Sequence, residues 1–299
     1  PEPAQRQLEC PDCGGSGVVQ IVMETLGRSM LKEGGNVFGD TVRIRKEDIP
    51  NTVNNLVKKL LRPLLGLKYE DLKPIGSTGK KPTSGDIDLA VSVSKVFPDV
   101  DFEDWYETRH PLGKKLVATI QTKGWEAVSK GDMIHIKTPI ITDTGEESSE
   151  TVQVDLMLGT ERNLTWHYFV DEGGRRPFKG ILRNAILKSL IDSRIISTAK
   201  GDKGQDQRMR FRYSPTRGIL HRNEEYIKAK ASGNYYWKKL SEIPYDNDLI
   251  TGIGKMFGLK LNGPEDVPNA DAAAALSIAY ISTIKNKKVR EEVFDAFLK

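Results

Sequence analysis

Two acidic side chains lie in the most regular strand pattern of this chain. Residues 86–93 read Asp-Ile-Asp-Leu-Ala-Val-Ser-Val, so that apolar side chains alternate with polar or small ones. This period of two predicts a β-strand with one buried face. Asp86 and Asp88 then share a face, where each carboxylate raises the proton affinity of the other unless a divalent cation neutralises the pair. The pattern predicts a strand that carries a Mg²⁺ site.

A third carboxylate lies in a second alternating segment. Asp155 is flanked by Val154 and Leu156, and an acid on an otherwise apolar strand needs a partner such as a metal ion. It shares its parity with Gln153 and Met157, so its face is partly solvated. Three acids on neighbouring strands match the two-metal arrangement for in-line phosphoryl transfer, in which both ions stabilise the departing pyrophosphate.

A turn of small residues precedes the acidic strand. Eight residues separate Ser77 from Asp86, and Gly76 stands before Ser77. Because these two residues lack bulk, their backbone N–H groups and the Ser77 hydroxyl are candidates to hold nucleotide phosphates. Lys80 and Lys81 follow in the same loop and add positive charge for that anion. The alternative is that these lysines only solvate an exposed loop.

These motifs resemble the signature of the DNA polymerase beta-type nucleotidyltransferase superfamily. The segment from Pro82 to Asp88 is especially similar to its family X polymerases, and the likeness covers roughly residues 49–190. The resemblance implies a palm-like fold with two Mg²⁺ ions, or Mn²⁺ in their place. It also implies the roles of the side chains: both ions on Asp86 and Asp88, the catalytic ion also on Asp155, and the triphosphate on Gly76, Ser77, Ser84 and nearby basic residues.

The same resemblance extends to two further positions. Tyr168 and Phe169 are similar to the Tyr-Phe pair that family X places beside the sugar, although Val170 and Asp171 replace the Thr-Gly that follows it there. Arg183 resembles a residue that such enzymes direct at the nucleotide or template. The alternative for the aromatic pair is an ordinary place in the core.

Positive charge is concentrated in one segment. The whole chain carries 45 Lys and Arg against 41 Asp and Glu, a net charge of +4 that argues for no particular partner. Residues 200–222, however, hold seven basic residues and two acidic ones. Arg208, Arg210 and Arg212 alternate with apolar residues there, and together with Arg217 they are predicted to contact nucleic acid. The alternative is an edge strand that its charges protect from aggregation.

The order of the patterns predicts an α+β fold. Residues 1–45 form an extended Gly-rich arm that could dock a partner, residues 46–160 a palm-like mixed sheet with flanking helices, and residues 161–299 a mainly helical C-terminal module that contains the basic segment 200–222. A polar turn at 143–150 predicts a hairpin between the strands around Ile134 and Val154. Helical periodicity or composition predicts helices at 47–65, 112–124, 178–195, 224–240 and 264–299.

The sequence also bears on location and completeness. No run approaches about 18 consecutive apolar residues, so neither a membrane-spanning helix nor a membrane partner is expected. Two cysteines, Cys10 and Cys13, provide no disulfide framework, which favours the cytoplasm and leaves their role open. Because the chain begins with Pro1, we expect a processed product or a fragment.

The function expected from the sequence is nucleotidyl transfer. A nucleoside monophosphate would move from an NTP or dNTP, with ATP among the candidates, to a hydroxyl acceptor with release of pyrophosphate. The basic segment favours a nucleic-acid 3′ end as this acceptor. Two alternatives stay open: transfer to a protein or small molecule, and a nucleotidyltransferase-like component that assembles a larger complex. The sequence leaves open the acceptor, template use, the choice between ribo- and deoxyribonucleotides, and the oligomeric state.

Overall fold

The structure is a computed structural model that describes residues 37–170, 179–202, 204–229 and 233–298. Most of the expected N-terminal arm, including Cys10 and Cys13, lies outside the described residues. The first strand, β1 (Ile44–Arg45), pairs antiparallel with β3 (Thr83–Ser84). The arm and the division of the chain at residue 160 stay predictions.

A five-stranded mixed sheet carries the acidic residues. Its strands, in spatial order, are β2 (Leu72–Pro74), β4 (Asp86–Ser92), β7 (Glu147–Gly159), β6 (Met133–Ile141) and β5 (Ala127–Lys130). Only β4 and β7 run parallel, and the other neighbours are antiparallel. The expected hairpin is therefore present as β6 and β7, which pair antiparallel.

Helices cover one face of this sheet. The first, α1, runs from Ile49 to Leu65 with a π-helical stretch at Val57–Leu61, and it is followed by α2 (Val93–Val96) and α3 (Phe102–Gln121). Helix α3 begins ten residues before the expected Leu112, because Asp101 accepts a hydrogen bond from the backbone N–H of Glu103 and caps it there. The apolar side chains of the sheet and of these helices form the larger hydrophobic core.

A second, four-stranded antiparallel sheet follows in the chain. Its strands are β8 (Ile195–Lys200), β9 (Asp206–Ser214), β10 (Gly218–Lys228) and β11 (Tyr235–Asp246), adjacent in that order. Two helices precede it in the chain, α4 (Glu161–His167) and α5 (Lys179–Ser193). Three follow it: α6 (Leu249–Phe257), α7 (Ala270–Ser282) and α8 (Lys287–Leu298). Trp166, Tyr213 and apolar residues of α5 to α8 form a core of their own.

The α+β class and the mixed sheet with flanking helices are confirmed. The helix expected at 224–240 is wrong, because residues 224–228 belong to β10 and residues 235–240 to β11, and the two strands pair antiparallel as a hairpin. Tyr226 lies directly opposite Trp237 in this hairpin, and cross-strand aromatic pairs of this kind favour strands. The C-terminal part of the chain therefore has a sheet beside the expected helices.

None of the helices in the described ranges combines the length and the apolar character that crossing a membrane requires.

Gly218, the first residue of β10, lies directly against the backbone at the end of β11. Its φ is +82°, and a Cβ atom there would collide with the backbone of Asp246 and Asn247. We expect Gly218→Ala to lower the free energy of unfolding by about 2–4 kcal/mol, since backbone strain adds to overpacking. Urea unfolding measures this loss. Gly124→Ala is the matched control, because φ is +80° but the space around that Cβ is open, so only about 1 kcal/mol of backbone strain applies. Equal losses in the two variants would contradict the prediction.

Candidate metal centre

The parallel pairing of β4 and β7 brings three aspartates together. Its register places Asp88 directly opposite Asp155 and Asp86 opposite Gln153. One carboxylate oxygen from each aspartate lies within 4.8 Å of the other two. Because the apolar residues between them face the larger core, the acids lie on the opposite face of the sheet, which also carries a smaller cluster of Ile75, Ala90, Met157 and Leu164. The expected clustering of the three acids is therefore present in the structure.

The electrostatics of this cluster favour a cation. Burial, and then the charge of Asp155, raises the pKa of Asp86 above its ordinary value. The pKa of Asp88 is raised well above its ordinary value by burial and by the charges of Asp86 and Asp155. Such crowding is costly for ionised carboxylates alone, and a divalent cation with oxygen ligands removes the cost. The donor set therefore fits Mg²⁺ or Mn²⁺, and the same carboxylates could hold one ion or two.

Two neighbours hold Asp155 in place, and the sequence alone missed both. His135 Nδ1 lies 2.7 Å from Asp155 Oδ1, and Gln153 Nε2 donates to the same oxygen over 2.9 Å. For this contact to be a hydrogen bond to an ionised carboxylate, which only accepts, His135 must donate from Nδ1. Both side chains are buried. This pair fixes the orientation of Asp155 and leaves its second oxygen for a metal ion.

The sequence around His135 predicts the face on which it lies but not its partner. His135 alternates with Ile134 and Ile136, which assigns it to the polar face of β6. Its partner depends on the register of the hairpin, which an irregularity between Pro139 and Ile141 shifts. With that shift, His135 lies directly opposite Asp155. The face could be predicted from alternation, whereas the pairing could not.

Gly76 allows the turn to approach the acidic strand closely. Its φ is +62°, and a Cβ atom there would lie 2.9 Å from Asp88 Oδ2. The backbone N–H of Gly76 donates to the Tyr168 carbonyl oxygen over 3.0 Å, and the N–H of Asp88 donates to Thr78 Oγ1 over 2.9 Å. The N–H of Gly76 is thus used within the fold. The contribution of this glycine to the site is the space it leaves beside Asp88.

The remaining phosphate candidates differ in their surroundings. Ser77 is half-buried in the turn, directly before Thr78. Lys80 is exposed and donates to the Val170 carbonyl oxygen over 2.8 Å, and Lys81 is exposed beside it. Ser84 is buried in β3, where it pairs with a residue of β1. Their roles in phosphate binding stay predictions.

Tyr168 adjoins the acids, whereas Arg183 packs into the second core. Burial, followed by the nearby charges of Asp88, Asp132 and Asp155, raises the pKa of Tyr168 to about 12. Arg183 is fully buried; it donates to the Trp166 carbonyl oxygen over 2.6 Å, and its guanidinium lies over the Trp166 ring. Burial lowers the pKa of Arg183 to about 10. Tyr168 therefore lies beside the acids, and Arg183 has a structural role in the second core; a part for either residue in nucleotide binding stays a prediction.

Two of the four predicted nucleic-acid contacts form ion pairs in β9 and β10. Arg208 and Arg210 both donate to Glu224, over 2.7 and 2.9 Å. Burial alone would raise the pKa of Glu224, but the hydrogen bonds and charges of these arginines outweigh it and hold the pKa below its ordinary value. The Glu224 side chain is only 3% exposed. The two arginines neutralise a buried acid, which explains them without any nucleic acid.

The other two arginines have acidic partners as well. Arg212 pairs with Asp192 at the end of α5. Arg217 is buried and lies 2.5 Å from Glu103 of α3 and 3.2 Å from Glu242 of β11. It therefore connects the first helical layer to the second sheet. A role of these four arginines in nucleic-acid binding stays a prediction.

No protein family matches the chain, and neither does any curated protein. Two crystal structures of Leishmania infantum polymerase beta resemble it in three dimensions. The first, a ternary P/T complex, is 14% identical and matches over 82% of this chain and 87% of its own, with a TM-score of 0.38. The second, a ternary gap complex, is 16% identical over 82% and 80%, with the same TM-score. A likeness this distant assigns the chain to no family.

The raised pKa of Asp88 predicts a pH-dependent cost in the metal-free protein. As pH rises above about 4, the unfolded chain releases this proton first, so stability falls until the folded-state pKa is passed. At pH 7 without metal, Asp88→Asn should therefore raise Tm, with each kcal/mol of relief giving about 2–4 °C. Added Mg²⁺ should raise Tm of the unaltered chain but not of the variant.

Scanning calorimetry with and without Mg²⁺ checks this expectation. Asp99→Asn, which changes an exposed acid, is the matched control and should leave both Tm values unchanged. If Asp88→Asn leaves the metal-free Tm unchanged and Mg²⁺ stabilises all three proteins equally, the electrostatic account is wrong.

The contact between His135 and Asp155 makes a separate prediction. Replacing His135 with Leu removes the donor that orients Asp155 but leaves the Gln153 contact in place. Groups that orient metal ligands contribute about 10- to 100-fold to affinity, so we expect Mn²⁺ binding to weaken by that factor. Isothermal titration with Mn²⁺ measures the change, and circular dichroism checks folding. His110→Gln, at an exposed position of α3, serves as the control. Equal affinity in both variants would rule out the orienting role.

Proposed function

We propose that this protein is a divalent-metal-dependent nucleotidyltransferase. It moves a nucleoside monophosphate from an NTP or dNTP to a hydroxyl acceptor, most naturally a nucleic-acid 3′ end, and releases pyrophosphate. One observation carries the proposal: adjacent parallel strands bring Asp86, Asp88 and Asp155 within 4.8 Å of one another. Three clustered carboxylates on the sheet face opposite the larger core suit an ion-assisted in-line displacement at phosphorus.

Each side chain then has a part in the transfer. Asp86 and Asp88 would hold both ions, and Asp155 would hold one of them. Bound there, the ions would neutralise charge on the acceptor oxygen and on the departing pyrophosphate. A new bond forms between the acceptor oxygen and the α-phosphorus as the bond from that phosphorus to pyrophosphate breaks, and the proton of the acceptor hydroxyl passes to solvent. His135 and Gln153 keep Asp155 oriented through this exchange.

The groups around the acids suit a bound nucleotide. Tyr168 adjoins the acids and is a candidate to contact the sugar. Lys80 and Lys81 are exposed near the turn, where their charges suit the triphosphate. Ser77 contributes from the turn itself. Ser84 and Arg183 are weaker candidates, since both are buried within the fold.

Three further parts of the proposal come from the sequence. Two cysteines without a disulfide framework favour the cytoplasm. The Gly-rich arm before residue 46 is a candidate for docking a protein partner. A net charge of +4 is modest, so the choice of a nucleic-acid acceptor depends on local charge and not on the whole chain.

The experiment is a transfer assay with each labelled NTP and dNTP in the presence of Mg²⁺ or Mn²⁺. The acceptors are single-stranded RNA, single-stranded DNA, primed duplex, protein and a small hydroxylated molecule. We expect label on a nucleic acid, with a loss of at least about 100-fold in Asp86→Asn and Asp88→Asn. Asp99→Asn should retain full activity because this exposed acid lies outside the cluster.

The remaining outcomes separate the alternatives. Label on the protein or small molecule alone would keep the chemistry but overturn the nucleic-acid acceptor. Absence of transfer to every acceptor, with Mg²⁺ binding intact in the unaltered chain, would overturn the enzymatic proposal in favour of an assembly component.

A further inference from the structure

The hairpin of β10 and β11 has a composition unlike that of the rest of the second sheet. Residues 226–240 contain four lysines and four aromatic residues and no acidic residue. Strands alternate their side chains between two faces, so the hairpin divides these residues into two sets. Tyr226 and Lys228 of β10 share a face with their partners Trp237 and Tyr235 of β11.

The residues of this set contact one another. The Tyr226 and Tyr235 rings are stacked with centroids 5.4 Å apart, and Trp237 lies 5.1 Å from Tyr226. The rings nevertheless remain accessible, since Tyr235 is 59% exposed and Tyr226 is 38% exposed. Aromatic side chains held at this exposure on paired strands leave ring surface free for a flat ligand.

Cationic side chains lie beside the rings. Lys228 Nζ lies 5.9 Å from the centre of the Tyr235 ring, and the guanidinium of Arg208, which also pairs with Glu224, lies 3.9 Å from that of Trp237. Lys239 follows Trp237 at the same parity; about half of its side chain is exposed, and its Nζ lies 3.9 Å from Glu242. The set of Tyr226, Lys228, Tyr235, Trp237 and Lys239 is called the aromatic face below.

We propose that the aromatic face binds single-stranded nucleic acid. Bases would stack on Tyr235 and Tyr226, while Lys228 and Lys239 contact the phosphates. Exposed aromatic rings beside cations recognise single strands without sequence preference, because every base offers a flat π-surface and every nucleotide a negative charge. The assignment rests on the proposed function for its biological meaning, since it names the surface that would hold the acceptor strand.

The same observations disfavour a second copy of this chain as the occupant. Strand β11 forms one edge of its sheet, and an edge invites pairing with another chain. Lys238 and Lys239 lie side by side on this edge, and charged edge residues of this kind oppose such pairing. Residues 226–240, with four lysines and no acidic residue, would also repel the same segment of a second copy, whereas a polyanion is complementary to them.

The test compares two exposed tyrosines that adjoin in sequence. Tyr235 belongs to the aromatic face, and Tyr236, which is 46% exposed, points to the opposite face of the same strand. Binding of fluorescent oligothymidylate and oligouridylate, each of about 16 nucleotides, is measured by anisotropy on the full chain. We expect Tyr235→Ala to weaken binding at least about fivefold and Tyr236→Ala to leave it within about twofold. Circular dichroism melting confirms that both variants fold.

Salt dependence and self-association complete the experiment. Lys228→Gln should reduce the slope of log affinity against log salt by about 0.7, the value for one lost phosphate contact on a single strand. Absence of binding by the unaltered chain at about 100 µM would overturn the proposal, as would equal effects of the two tyrosine variants. Sedimentation showing that Tyr235→Ala instead dissolves a dimer would also overturn it, because the aromatic face would then be an interface between copies.

The experiments distinguish failure of the aromatic-face proposal from failure of the proposed enzymatic function. If the unaltered chain binds the oligonucleotide through Tyr235 but transfers no nucleotide, the aromatic face stands and the enzymatic proposal falls. If nucleotide is transferred to nucleic acid while Tyr235→Ala changes neither binding nor KM for the acceptor, the enzymatic proposal stands and the aromatic face falls.

Discussion

The parallel pairing of β4 and β7 is the constraint on which the candidate metal centre depends. It sets Asp88 opposite Asp155, and a slip of one residue would turn one strand's acids toward the larger core. The opposite face prevents that slip, because Ile87 and Val154 are fully buried there among the helices. Apolar burial thus holds together carboxylates that repel each other, and this burial, followed by the charges of the neighbouring aspartates, raises the pKa of Asp86 and Asp88. A cation resolves it, which is why the cluster suits metal chemistry better than a structural role.

The acids could be predicted from sequence because alternation is a local signal. Every second residue of β4 and β7 faces the core, so the parity of Asp86, Asp88 and Asp155 follows without knowledge of the fold. What supports them could not be predicted in the same way. The contact between His135 and Asp155 depends on an irregular hairpin register, and the space beside Asp88 depends on a left-handed turn at Gly76. Both are tertiary facts with weak local signatures.

For the basic segment, by contrast, a count of charged residues along the sequence missed the acidic partners of the arginines. Seven basic residues between 200 and 222 outnumber two acidic ones, yet the partners of the predicted arginines lie outside that window. Asp192 precedes it, Glu224 and Glu242 follow it, and Glu103 comes from another part of the chain. Burial of an ionised carboxylate is costly unless a cation pairs with it, so arginines near a buried acid form ion pairs with it inside the fold. A charge count along the sequence does not reveal such pairing.

The expectation of a helix at 224–240 gave no indication that basic and aromatic side chains of this segment share one face. As a helix, these residues would spread their aromatic and basic side chains around an axis, whereas the hairpin gathers every second one on a single face. Alternation places the three aspartates on one face of the first sheet, and it likewise places Tyr226, Tyr235 and Trp237 on one face of the second sheet. Arg208 and Arg210 of β9 are then paired with a buried acid, while Lys228 of the hairpin is exposed beside the Tyr235 ring. A count of basic residues along the chain therefore favours the arginines of β9 as the site for a polyanion, whereas the contacts favour the hairpin, where Lys228 is exposed.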